Sequence, residues 1–316
     1  MTQIVVGLGA IADKYDVFLV DQYGVLHNGS EAYAGAVACF NRLVASGKRV
    51  VLLSNTSKRA ATLRGKLAVF GFDPDFLGAV TGGEVAWTYL DERRDDLQRC
   101  ALMTADANES VAQRETNTQS LFHGLDVQVV DIDAAQFLLV EGSRQVCYSD
   151  DMSQVLSADF HTTGQVNAHI TSFLERGRKR ELPMLCTNPD LVAMLKDNQM
   201  VHMGGKIAKM YEVMGGRVVY FGKPQKEHFE VCLDMAAVTD RARVVHIGDS
   251  LHHDIQGAVN TGIDSIFIAG GVHAAELRID LSAVADGSSG VAPELLQQLC
   301  AQFQLDPTYT LKSFVW

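Results

Sequence analysis

Short unbroken apolar runs alternate with longer amphipathic stretches along the first eighty residues. Residues 17–20 read VFLV and residues 49–53 read RVVLL. Runs this short, rich in β-branched and aromatic residues, predict strands buried on both faces of a parallel sheet. Between them Val37, Phe40 and Val44 recur at helical spacing, and Gly47 follows as a stop signal. The pattern predicts a further helix over 58–70 closed by Gly71, and a short strand over 79–81. Gly82 and Gly83 then read as a hinge into a helix over 84–93. Strand and helix alternating at this spacing mark a right-handed parallel α/β unit.

From 83 to 201 the pattern changes. ALMTA, VQVV and QFLLV are candidate strands with polar connections, AHITSFLERGRKR is a candidate helix, and PMLCTNPD is a strand running into a turn. This is enough material for a separate α/β domain. From Gly204 the first pattern resumes, with GKIAKMYEVMGG, KEHFEVCLDMAA and HDIQGAVNTG as helices and VVYF, RVVHIG and DSIFIAGG as strands. VAPELLQQLCAQF reads as a closing helix. The expected fold class is therefore α/β: a doubly wound parallel-sheet core in two parts, 1–82 and 202–316, with an α/β cap domain, 83–201, inserted between them.

Four polar segments stand directly after buried strands: DQYG at 21–24, SNT at 54–56, GKP at 222–224 and GDSLHHD at 248–254. A carboxylate at the end of a buried strand is costly to place there, and open α/β sheets bind ligands outside the carboxyl ends of their strands. If the strands are parallel, all four segments meet at one sheet edge. Asp249 and Asp254 form an acidic pair, and clustered carboxylates repel unless a cation lies between them; Mg²⁺ prefers such hard oxygen ligands. His252 and His253 raise a transition metal as an alternative, but carboxylate and carbonyl ligands favour magnesium. Ser54 also reads as a plain helix N-cap, which the same geometry allows.

In order and spacing these segments resemble the four motifs of the haloacid dehalogenase (HAD) superfamily of hydrolases. The branch they most resemble is class IIA, the NagD-like phosphatases with a large α/β cap. The resemblance covers nearly all of the chain outside the cap. It implies that Asp21 is the nucleophile and forms an aspartyl-phosphate, and that Ser54 binds phosphate with the amides of Asn55 and Thr56. Lys223 would neutralise phosphate and hold the nucleophile ionised. The implied Mg²⁺ site comprises Asp21, the backbone carbonyl of Tyr23 and Asp249, with Asp254 orienting a ligand water or Lys223. In the cap, Asn188 and Asp190 resemble a segment near the site; an Asn-Pro turn with an Asx hydrogen bond is the other reading. One position departs from the pattern: Tyr23 stands where the family carries its acid–base aspartate. A phenol, with a pKa near ~10, is a poor base at neutral pH. His27 is the nearest residue in sequence that could take the role, unless it only bonds the turn.

The implied function is a Mg²⁺-dependent phosphatase acting on a small phosphorylated metabolite such as a sugar phosphate. The rivals are a catalytically weak phosphometabolite-binding protein and a metal-free dehalogenase; the acidic pair argues against the last. Composition narrows the rest. The chain has 316 residues, 47% hydrophobic and 21% charged, which fits two ordinary globular domains. A net charge of −11 disfavours nucleic acid and anionic membranes as partners. Six scattered cysteines without a CxxC pair fit reduced thiols, and no basic-then-apolar leader is evident, so a cytoplasmic location is expected. A homodimer is left open, because caps of this class often contribute to dimer contacts.

Overall fold

The run VFLV becomes the strand Val17–Val20, with no residue facing solvent. It lies between two parallel neighbours. Arg49–Ser54 sets Leu52 opposite Val20, and Val244–Gly248 sets Ile247 opposite Val20. The computed structural model describes residues 2–105, 117, 120–149, 155–194, 200–280 and 290–316. In the first sheet the strand order is Gln3–Ile4, Tyr309–Leu311, Asp264–Ile268, Val244–Gly248, Val17–Val20, Arg49–Ser54, Gly78–Thr81. Successive side chains of a strand point to opposite faces, and Phe18 and Val20 enter a core with Phe40, Leu52 and Ile247. The helix Ala36–Ala45 covers this face with Ala36, Cys39, Phe40 and Leu43, the helical spacing expected of a half-buried helix. A further cluster gathers Leu251, Ile255, Phe267, Leu296 and Leu299.

The chain splits into two compact units. The first comprises Met1–Ser54, Leu63–Val80 and Lys223–Trp316; the second comprises Asn55–Thr62 and Thr81–Gly222. The second unit has its own sheet, in the order Val218–Tyr220, Met184–Cys186, Phe137–Val140, Arg99–Thr104, Gln145–Cys147, Val155–Ser157. Its first four strands are mutually parallel, and the last two join antiparallel. Alternate residues of Phe137–Val140 feed two cores: Leu138 and Val140 into one with Phe173 and Tyr211, Phe137 and Leu139 into one with Leu90 and Phe122. Both faces are thus covered, as a parallel sheet requires.

Three expectations are corrected. The sequence pattern places the stretch from Gly204 to Phe221 in the second part of the core, with the cap ending at 201. Instead Val218–Tyr220 pairs parallel with Met184–Cys186, Val218 opposite Met184, and the second unit runs to Gly222. Periodicity identifies a strand but not the sheet that will take it, because pairing partners are distant in sequence. Gly82 and Gly83 are the first turn of the helix Gly82–Asp91, capped by Thr81, whose Oγ1 accepts from the Glu84 N–H at 2.9 Å. A Cβ on Gly83 would meet the Ser57 carbonyl oxygen at 2.0 Å, so glycine here permits close packing. The helix expected over 58–70 is shortened to Leu63–Val69, after a tight turn at Ala60–Thr62.

The apolar pattern also missed the edge strand Gln3–Ile4 and its neighbour Tyr309–Leu311, which are too short to leave a periodic signal. Among the described residues no helix is long and apolar enough to cross a membrane. All six cysteines are buried, and none of them forms a disulfide.

Candidate active site

Two neighbouring strands of the first unit end in carboxylates. Asp21 follows Val17–Val20, and its N–H continues the ladder to the Ile247 carbonyl at 2.9 Å. Asp249 follows Val244–Gly248. Parallel pairing in this register brings the two carboxylates off the same sheet edge. The chain then makes a wide turn of π type over Leu251–Ile255, capped by Ser250, whose Oγ accepts from the His253 N–H at 3.2 Å. That turn returns Asp254 to the same place. Carboxylate oxygens of Asp21, Asp249 and Asp254 lie within 4.8 Å of one another, and all three residues are buried.

Lys223 is the cation of the cluster and is only 2% exposed. Its Nζ donates to Asp21 Oδ1 at 2.7 Å and to Asp254 Oδ1 at 2.8 Å. The backbone of Lys223 is fixed as well, since its carbonyl lies 3.1 Å from Nδ1 of the buried His253. Asp254 is held on both oxygens: Oδ1 also accepts from His246 Nε2 at 2.7 Å, and Oδ2 from the Ser250 N–H at 3.0 Å. Asp249 Oδ2 accepts from the Val272 N–H at 2.7 Å. Glycines make the room. Gly24 has φ of +78°, and a Cβ there would come within 1.8 Å of Asp249 Oδ2; one on Gly271 would come within 2.2 Å of the same atom.

The electrostatics separate the three carboxylates. Burial lifts Asp21 to about 7, against the downward pull of Lys223. Burial and the two neighbouring carboxylates push Asp249 well above the usual carboxylate range. Asp254 moves the other way: burial opposes it, but Lys223 and His246 hold it below that range. Lys223 is raised despite its burial, because Asp21 and Asp254 face it. Asp254 is thus the settled anion that anchors the lysine. Asp21 and Asp249 are the unsettled pair, which a shared proton or a hard cation would relieve. Clustered hard oxygen donors with unmet negative charge fit a divalent cation.

The remaining sequence candidates fall in several places. Tyr23 is 40% exposed; its ring meets His27 edge-on at 4.8 Å, and Lys66 Nζ lies 5.3 Å from its centroid. His27 is wholly buried, its Nδ1 accepts from the Gly29 N–H at 3.1 Å, and burial with Lys66 nearby pushes its pKa to about 4. It is therefore a neutral ring bonding the turn, the plainer of its two readings. Ser54 is buried at the end of Arg49–Ser54, on the strand beside Asp21's own. Asn55, Thr56, Asn188 and Asp190 belong to the second unit. There Asn55 Nδ2 donates to Asp190 Oδ1 at 2.7 Å, Thr56 Oγ1 accepts from the Lys58 N–H at 3.3 Å, and Asn188 Oδ1 accepts from the Asp190 N–H at 3.0 Å. The last bond is the Asx turn. Neither His252 nor His253 is in the acidic cluster. Sequence reasoning missed His246, although an imidazole inside an apolar strand needs a polar partner and so carried a signal.

The geometry can be set beside known proteins. A family described as haloacid dehalogenase-like hydrolase matches residues 18–117, and one described as HAD-hydrolase-like matches 220–297, together more than half of the chain. An acid sugar phosphatase of Staphylococcus epidermidis is 24% identical over 262 residues, covering 82% of this chain and 88% of the relative. A solved haloacid dehalogenase-like hydrolase from Brucella suis aligns with a TM-score of 0.72 at 24% identity, covering 99% of this chain and all of that one. A p-nitrophenyl phosphatase from Archaeoglobus fulgidus aligns at 0.64 with 19% identity, covering 95% and 97%. At these identities the solved structures speak for the fold. The two family matches contain Asp21, Lys223, Asp249 and Asp254 between them, and the chain belongs to the haloacid dehalogenase-like hydrolases.

Proposed function

We propose that this hydrolase is a Mg²⁺-dependent phosphatase, cleaving a small phosphorylated metabolite such as a sugar phosphate through an aspartyl-phosphate on Asp21. The observation that carries the reading is Asp21 itself: a buried carboxylate at a strand end, paired with the buried ammonium of Lys223 and grouped with Asp249 and Asp254. Phosphoryl transfer needs an in-line nucleophile and compensation for charge on the phosphoryl oxygens. A carboxylate splits the reaction into two easier steps. In the first, an Asp21 oxygen bonds to phosphorus as the ester P–O bond breaks and the leaving oxygen takes up a proton. In the second, water attacks the phosphorus, loses a proton, and frees inorganic phosphate and Asp21. Lys223 favours the ionised form of Asp21 against the upward push of burial and offsets phosphate charge, Asp254 holds Lys223 in place, and Ser54 with the following Asn55 and Thr56 amides supplies phosphate-binding donors. Asp21, Asp249 and the backbone carbonyl of Tyr23 would hold Mg²⁺, which supplies further charge compensation when bound. The sugar phosphate comes from the likeness to the acid sugar phosphatase.

A panel of phosphate esters, assayed with and without Mg²⁺, tests the reading. Asp21→Asn should abolish turnover while leaving the melting temperature close to wild type, since an amide is nearly isosteric but no nucleophile. Wild-type turnover in that variant would refute the assignment. One observation favours a second reading, a slow or purely binding protein: position 23 offers an exposed phenol in place of a carboxylic acid.

A further inference from the structure

His246 sits in the middle of the strand Val244–Gly248, fully buried, opposite Leu19 of the neighbouring strand. Both of its ring nitrogens face acceptors. Nε2 is 2.7 Å from Asp254 Oδ1, and Nδ1 is 3.1 Å from the carbonyl oxygen of Leu19. Its ring packs edge-on against Phe229 at 5.0 Å. The ring therefore connects the backbone of Asp21's strand to the carboxylate that anchors Lys223. Asp254 Oδ1 is shared by His246 and Lys223, and the same Nζ reaches Asp21.

We propose that His246 is a positioning residue: its Nε2–H bond fixes the Asp254 carboxylate and thereby aims the Lys223 ammonium at Asp21. The inference rests on the phosphatase reading above. Without the bond, Asp254 keeps the Ser250 amide on Oδ2 but loses a fixed donor on the oxygen that Lys223 uses. Partners of this outer kind typically change activity about 10- to 100-fold when removed. The effect belongs in kcat more than in KM, because a displaced ammonium weakens charge compensation that grows toward the transition state.

The test uses the full chain, 4-nitrophenyl phosphate and saturating Mg²⁺. His246→Phe fills the same space without donors and should lower kcat about 10- to 100-fold with KM little changed. His246→Gln keeps a donor and should recover part of the loss. In an Asp254→Ala background His246→Phe should add little, since its route of action is already gone. A merely structural histidine would lower the folded fraction and leave kcat per folded molecule unchanged. Wild-type kcat in folded His246→Phe, or a full additional loss in the Asp254→Ala background, would overturn the inference. If neither His246 variant folds, nitrogen-edited NMR of the wild type decides. The His246 Nε2 proton should be present and protected from exchange in the wild type and lost in Asp254→Ala; its absence in the wild type overturns the proposal. Asp21→Asn is assayed alongside. If it is inactive while His246→Phe is unchanged, this inference alone fails; if it is fully active, the reading beneath it fails.

Discussion

On the phosphatase reading proposed above, Tyr23 should set the ceiling on turnover at this site. With no carboxylic acid at position 23, the leaving oxygen of an alkyl phosphate lacks a matched proton donor, whereas an aryl phosphate has a better leaving group. Tyr23→Asp should raise turnover of alkyl phosphates most, by up to the ~10²–10⁴ that one acid–base group contributes. The substitution removes the ring from His27 and Lys66, so the folded fraction must be measured beside the rate. A folded, Mg²⁺-binding variant no faster on any ester would show that position 23 is not the missing acid. Two other residues make a pH prediction. Burial holds His27 and His228 at about 4, below the usual 6.5. Between those values the unfolded chain binds protons that these two folded histidines refuse, so their contribution to stability falls as pH drops from 6.5 through 4, while Asp21 and Asp249, raised in the folded chain, contribute in the opposite sense. The full shift is worth on the order of 3 kcal/mol per histidine. Chemical denaturation at pH 7.5 and pH 5 isolates the histidine by difference: on acidification His228→Leu should lose less stability, or gain more, than the wild type; an unchanged pH slope in that variant would count against a buried neutral imidazole.

At the scale of elements, the site depends on how the strand ends and the turn after Val244–Gly248 leave room for carboxylates. Gly271 approaches Asp249 so closely that a methyl group would come within 2.2 Å of both its Cβ and Oδ2. Gly271→Ala must therefore displace the Asp249 side chain while leaving the apolar strands beneath it intact. Calorimetric titration should show Mg²⁺ affinity falling at least about tenfold, the scale expected when a metal ligand loses its support. Unaltered affinity would mean that Asp249 is not a ligand. The wide turn over Leu251–Ile255 does comparable work, since its geometry places Asp254 between Lys223, His246 and the Ser250 amide.

At the scale of the whole molecule, two units with separate sheets and separate cores predict two unfolding events. The acidic cluster lies wholly in the first unit. A ligand that binds only the folded state stabilises by mass action, about 2.7 kcal/mol at a hundredfold excess over Kd. Scanning calorimetry should resolve two transitions, and Mg²⁺ should raise one of them and leave the other in place. A single transition that moves as a whole with Mg²⁺ would mean the units unfold as one.

The sequence by itself determined the local parts. Apolar runs of four or five residues, helical spacing and strand-end carboxylates fixed most strands and helices, and pointed to Asp21, Lys223, Asp249 and Asp254, because these signals are written within a few residues of one another. The tertiary structure decided what depends on distant neighbours. Lys223 was expected at the end of a core strand, but the strand before it pairs in the second unit's sheet, and the lysine nevertheless meets Asp21 and Asp254. His27 and Tyr23 were open alternatives until packing showed a buried neutral ring and an exposed phenol. His246 became visible as part of the site only once parallel pairing set it beside Leu19 and the turn brought Asp254 back to it. Periodicity reports which face of an element is apolar; which elements share a sheet, and which polar atoms then meet, is settled by long-range packing and hydrogen bonding that no local window contains.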